Sequence, residues 1–119
     1  MKKQALIGLT ALLMSCVKQY NTPEAKIGLA QCLVKEEATM YGAKWCGYCT
    51  KEKEAFGPAW QVMQKNYVEC ADEANIERCL EVAIDNKISF PSWKFKNGKV
   101  LRGYTPNFLE VLARESGCD

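Results

Sequence analysis

Apolar and polar positions recur along the chain with two periods, and the switches between them lay out its elements. Thr22-Pro23-Glu24 supplies an N-cap, a first-turn proline and an early acid, which predicts a helix from there to about Val34. Within it Leu29, Cys32 and Leu33 fall at i, i+3 and i+4, so Cys32 lies on the apolar face. Ala38 to Lys44, with Met40, Tyr41 and Ala43 around Gly42, reads as a strand that delivers the chain to Trp45-Cys46-Gly47-Tyr48-Cys49. The segment to about Asn66 sets Phe56, Trp60 and Met63 on one face, with Gly57-Pro58 expected to kink or interrupt it. Tyr67 to Cys70 is a second short strand. Ile76, Cys79, Leu80 and Ala83 predict a third helix ending near Asn86, with Cys79 on its buried stripe. Ile88 to Phe95, Asn97-Gly98 and Lys99 to Arg102 read as a strand, a type I′ turn and an antiparallel partner. Thr105-Pro106 opens a last helix with a Phe108, Val111 and Leu112 stripe, capped by Gly117 before Cys118. The order α-β-α-β-α-β-β-α contains no internal repeat.

At 119 residues the chain holds one core and leaves no room for a second of any size. Its 48% hydrophobic and 25% charged residues are ordinary for a globular protein and argue against wholesale disorder. The formal charge of +2 depends on Lys2 and Lys3; without them 14 basic face 14 acidic residues. With no long Lys or Arg cluster, the electrostatic footprint of a nucleic-acid partner is missing. Histidine is absent, which excludes Cys2His2 zinc sites and every mechanism that needs an imidazole base.

Met1-Lys2-Lys3 ahead of the apolar run Ala5 to Met14 has the form of a secretory signal, and at roughly ten residues the run is too short to span a bilayer. Leu13-Met14-Ser15-Cys16 resembles the lipobox of bacterial lipoproteins, in which the cysteine is acylated and becomes the mature N-terminus. Residues 1–15 are therefore read as a signal peptide, 16–22 as a tether and 23–119 as the folded domain, exported and lipid-anchored at a periplasmic or other extracytoplasmic membrane face. Ordinary secretion and a retained N-terminal anchor are the alternatives. Giving Cys16 to lipid leaves six of the seven cysteines, an even number suited to a disulfide-permissive compartment; the rival is that Cys16 is a leftover thiol.

Two cysteines separated by two residues at a helix N-terminus lie one turn apart, within reach of a disulfide, with the first thiol facing the helix's unpaired N–H groups. Those dipoles favour thiolate over thiol, making Cys46 the nucleophile candidate and Cys49 the resolving thiol. A zinc site completed by Cys70 and Cys79 and a purely structural Cys46–Cys49 bridge are competing readings.

Trp45-Cys46-Gly47-Tyr48-Cys49 after a short strand, with Phe90-Pro91 opening a later hairpin, resembles the thioredoxin superfamily. The run Tyr41 to Gly57, then Tyr67-Val68-Glu69-Cys70, Phe90-Pro91-Ser92-Trp93 and Ser116-Gly117-Cys118, is similar to the thioredoxin-like domain fused to, or encoded beside, bacterial vitamin K epoxide reductase homologues. The resemblance covers nearly all of the mature chain. It implies an α/β fold with a central mixed sheet flanked by helices, a cis peptide at Pro91 that shields Cys46 from metals, and a Phe90 backbone free to pair with substrate; the other reading of Pro91 is an edge-strand proline that starts a hairpin. A Cys32–Cys118 bridge joining the two chain ends is also implied by it; six cysteines otherwise allow 15 connectivities. Cys70 and Cys79 would form a structural bridge across a short connection or, alternatively, an electron relay.

Two positions depart from the family pattern. The buried aspartate six residues before thioredoxin's first active cysteine is Met40 here, so a proton relay must come from elsewhere, with Glu52 a candidate. The common Pro-His between the cysteines is Gly47-Tyr48, the pair also found in periplasmic disulfide isomerases. Trp45, Trp60 and Trp93 are expected to pack, leaving Tyr48 as the exposed aromatic at the substrate-binding rim. The resulting expectation is a monomeric, cofactor-free and metal-free protein thiol-disulfide oxidoreductase acting on protein thiols and disulfides. An oxidase recharged by a quinone-linked, vitamin K epoxide reductase-like membrane protein is the first reading of direction; reductase or isomerase is the second. A redox-inert, disulfide-stapled binding module is the reading from a different class.

Overall fold

The computed structural model describes residues 19–119; the leader, Cys16 and the start of the tether lie outside the described residues. Tyr20, within the stretch read as tether, is already buried against the main core. Helix α1 (Pro23–Lys35) begins at its predicted cap, where extended Thr22 accepts the Ala25 N–H at 3.2 Å. Strand β1 (Thr39–Gly42) leads through a turn into α2 (Gly47–Phe56). Gly57-Pro58 interrupts the helix as expected. A 3-10 turn at Gly57–Ala59 follows, since proline cannot donate an intrahelical bond, and the chain resumes as α3 (Trp60–Met63) before β2 (Tyr67–Glu69). The short α4 (Ile76–Cys79), β3 (Ser92–Lys94), β4 (Val100–Arg102) and α5 (Phe108–Ser116) complete the domain.

The sheet runs β2-β1-β3-β4, with β1 parallel to β2 and antiparallel to β3, and β3 antiparallel to β4. Side chains alternate across a strand, so neighbours on β1 serve different layers. Met40, paired with Trp93, joins Leu33, Phe56, Met63, Phe108 and Leu112 in the larger cluster. Tyr41, next along, packs with Val68, Cys70, Cys79 and Val82 in the smaller one. This is a thioredoxin-like α/β domain whose mixed sheet is flanked by helices.

Two disulfides brace it. Cys32 is bonded to Cys118 across 86 residues, and Cys70 to Cys79 across nine. The first closes because Gly117 ends α5 in the left-handed region and Cys118 N–H returns to Ala113 C=O at 2.8 Å, turning the tail back toward α1.

Four local expectations differ from the structure, one of them the last helix, which begins at Phe108 behind Asn107 and not at Thr105-Pro106. The third helix does not reach Asn86: a 3-10 turn at Glu73–Asn75, α4 and a second 3-10 turn at Leu80–Val82 replace it. Its inward side is Cys79 with Val82, whereas Ile76 and Leu80 are exposed. The helical stretch ends where Ala83 turns extended, and the two left-handed residues that a type I′ turn requires follow at Asp85 and Asn86, between bridged Ile84 and Lys87. At Asn97-Gly98 only Gly98 has positive φ, and Gly98 N–H bonds Phe95 C=O, so that hairpin turns through a longer loop in which glycine supplies the left-handed position. The strand predicted from Ile88 begins only at Ser92, since Pro91 has no N–H to give to a ladder.

Candidate active site

The turn after β1 places Cys46 as the N-cap of α2, with extended backbone (φ −86°, ψ 114°). In that role its side chain occupies the place usually taken by a serine or aspartate oxygen, and Sγ accepts the Cys49 N–H at 3.2 Å. The sulfur therefore sits where the helix concentrates unpaired N–H groups and positive dipole. One turn on, Cys49 is fully buried. Burial pushes its thiol up to about 12; the hydrogen bond to Cys46 and the nearby charges of Cys46 and Glu52 add to this, while a backbone bond with Ala43 opposes it. Both sulfurs are free thiols, one at the rim and one behind it.

Glu52, on the same helix, is 1% exposed. Burial raises its carboxyl to about 7, partly offset by the Trp93 indole, which donates Nε1–H to Oε1 at 2.9 Å. A carboxyl with that range, close enough for its charge to act on Cys49, can hold or release a proton near neutrality. Met40 is wholly buried in the core.

The sheet side carries residues to which the sequence alone gives no role. A Cβ on Gly42 would come within 3.1 Å of Cys49 Sγ and 3.0 Å of Tyr67 Cε1, so only glycine lets strand and helix approach this closely. Tyr67 donates its hydroxyl to Glu69 at 3.0 Å, and burial, Glu69 and the two cysteines raise its pKa. Burial works to raise the Glu69 carboxyl, yet N–H bonds from Ala71 and Lys44, the Tyr67 hydroxyl and the Lys53 charge hold it below the usual range. A glycine just ahead of a Trp-Cys corner is a signal for close approach; Tyr67 stood within a segment that carries the family resemblance, but no local pattern gave it a role at the site.

The peptide between Phe90 and Pro91 is cis. Neither the N–H nor the C=O of Phe90 takes a backbone partner among the described residues. The rim around Cys46 is more aromatic than expected: Trp45 is 70% exposed, as well as Tyr48 at 55%. Trp45 meets Phe90 edge-on with centroids 5.6 Å apart, which brings the proline loop beside the Cys46 corner, and Tyr48 stacks on Tyr104 at 5.2 Å. Trp93 is buried and Trp60 half-buried, as expected. Cys70 and Cys79 are bonded to each other and so do not stand as ligands beside the active pair.

The chain matches no protein-family model. It is 39% identical over 93 residues to the protein named Thiol-disulfide oxidoreductase LTO1 from Arabidopsis thaliana. The chain is similar to a thiol-disulfide oxidoreductase. The alignment covers 73% of this chain and 23% of that protein, so the chain spans less than a quarter of its relative's length.

Proposed function

We propose that this chain is a protein thiol-disulfide oxidoreductase, with Cys46 as nucleophile and Cys49 as resolving thiol. The observation that carries the reading is the Cys46 sulfur at the helix cap, bonded to the Cys49 N–H, with the Cys49 thiol buried behind it. In the reducing direction Cys46 thiolate attacks one sulfur of a substrate disulfide, forming a mixed disulfide and expelling the other sulfur as thiolate. Cys49, its proton taken by Glu52, then attacks Cys46 Sγ. The Cys46–Cys49 bond forms, the second substrate thiolate leaves, and two electrons have passed to substrate. The oxidising direction runs the same steps backwards. Pro91 and the unpartnered Phe90 backbone offer an edge along which an extended substrate segment can pair.

The likeness to a named thiol-disulfide oxidoreductase supports the exchange chemistry. The resemblance to domains that accompany vitamin K epoxide reductase homologues supports the oxidising direction, with a quinone-linked membrane protein as the recharging partner. The leader and the Cys16 lipobox pattern support export and lipid anchoring at an extracytoplasmic membrane face.

A Cys49→Ser variant, which can start the exchange and not finish it, is expected to accumulate mixed disulfides through Cys46. A redox-inert binding module would trap nothing. The equilibrium potential of the pair against glutathione then sets direction: a value near thioredoxin's, about −270 mV, would overturn the oxidase reading, and one near −120 mV would uphold it. Intact mass of the mature protein reads acylation at Cys16.

A further inference from the structure

Beside Cys46 lies a ledge that the exchange chemistry does not use. Tyr48 and Tyr104 stack with an interplanar angle of 18°, and Tyr104 follows Gly103, whose N–H is fixed to Pro91 C=O at 2.9 Å. The stack therefore ties the start of α2 to the proline loop. Lys51, one turn beyond Tyr48, sets its Nζ 5.2 Å from the Tyr48 centroid and 5.9 Å from that of Tyr104. Ion pairs among the described residues join Lys94 to Glu81, Lys96 to Glu37 and Lys99 to Glu115; Lys51 makes none among them.

The acids nearest the cysteines are already engaged. Glu52 is buried on Trp93, and Glu69 accepts from Lys44 N–H, Ala71 N–H and Tyr67. Gly47, Tyr48 and Lys51 line a shallow hollow of about 240 Å³, and the missing Gly47 side chain leaves it open, with nothing within 4 Å of where a Cβ would stand. The Tyr48 and Tyr104 hydroxyls make no hydrogen bond among the described residues. An ammonium set over two rings and two phenol donors next to an open hollow form a set of donors with no acceptor among the described residues.

We infer that the Tyr48, Tyr104 and Lys51 ledge is a specificity subsite for an aspartate or glutamate flanking the reactive cysteine of a substrate protein. The inference rests on the exchange activity proposed above. The carboxylate takes the Lys51 ammonium and the phenol hydroxyls, the segment's apolar side chains lie toward Trp45, and its cysteine is held over Cys46.

The test uses the full chain with Cys46→Ser and Cys49→Ser, titrated with two peptides that share one S-methylated cysteine and differ in glutamate or lysine beside it. At low salt the glutamate peptide is expected to bind tighter by about threefold or more, a preference that disappears near 1 M salt. Lys51→Glu should reverse the order, and Tyr104→Ala, which removes the stack and keeps the charge, should shrink it. Equal affinities, no binding of either peptide, or a preference untouched by Lys51→Glu would overturn the subsite. Exchange of the wild-type chain with disulfide-linked forms of both peptides is measured separately. Failure to exchange with either counts against the redox reading and leaves the subsite to be decided by the titration.

Discussion

The Glu52 carboxylate and the Trp93 indole meet at 2.9 Å in the core, joining the active-site helix α2 to strand β3. The bond satisfies a polar group on each side and holds an ionisable carboxyl close enough for its charge to act on Cys49. Because the folded-state pKa is raised from 4.5 to about 7, the folded chain binds its proton more tightly than the unfolded one. The contribution of Glu52 to stability therefore falls as pH rises from about 4.5 to about 7 and stays at the lower level above. Glu52→Gln removes the titration, and from pH 5 to pH 8 the variant should gain on the wild type by up to about 3 kcal/mol. Urea midpoints at the two pH values check this; parallel behaviour of both proteins would contradict it. In exchange assays the same variant should release its mixed disulfides more slowly.

The two active cysteines should differ sharply toward alkylating agents. With its thiol pushed up to about 12, chiefly by burial, Cys49 stays protonated at pH 8, and the sulfur is out of reach of solvent besides. Iodoacetamide added to the native protein with this pair reduced should label Cys46 and leave Cys49 unlabelled until denaturation. Peptide mass mapping decides, and equal labelling would remove the assigned roles.

Two glycine-to-alanine changes should move stability in opposite directions. At Gly42 the new methyl meets Tyr67 and the Cys49 sulfur at 3.0–3.1 Å, both in packed surroundings, for a loss of about 1–3 kcal/mol and a changed potential of the pair. At Gly28, exposed within α1 with nothing near the added methyl, alanine should add about 0.5–1 kcal/mol. Thermal denaturation of both variants distinguishes close approach from mere tolerance of glycine.

Loop length should rank the two bridges. Replacing Cys32 and Cys118 by serine frees a loop with a sequence separation of 86 and is expected to cost about 4–5 kcal/mol, against about 2.5–3 kcal/mol for Cys70 and Cys79 with a separation of nine. Denaturant titrations of the two double variants give the comparison. A larger loss at the shorter bridge would show that native-state packing of Cys79 outweighs chain entropy there.

The periodic segments were legible without coordinates. Thr22-Pro23 starts α1, Gly57-Pro58 breaks α2, and Phe108 and Leu112 face inward from α5, all from signals within a few residues. The spacing of Cys46 and Cys49 needed only a helix to become one turn. Local signals mislead where they compete: Asn97-Gly98 and Asp85-Asn86 are both turn formers, and only the second pair has both residues left-handed.

By itself the sequence determined the order of elements, the cysteine pair at a helix start and the absence of an imidazole base, because these follow from side-chain identity and spacing along one stretch of chain. Only the tertiary structure decided that Glu52 finds Trp93, that Gly42 leaves room for Cys49 against Tyr67, and that Tyr104 stacks on Tyr48. Each joins residues far apart in sequence whose meeting depends on strand register and helix placement, and no local pattern encodes a contact of that kind.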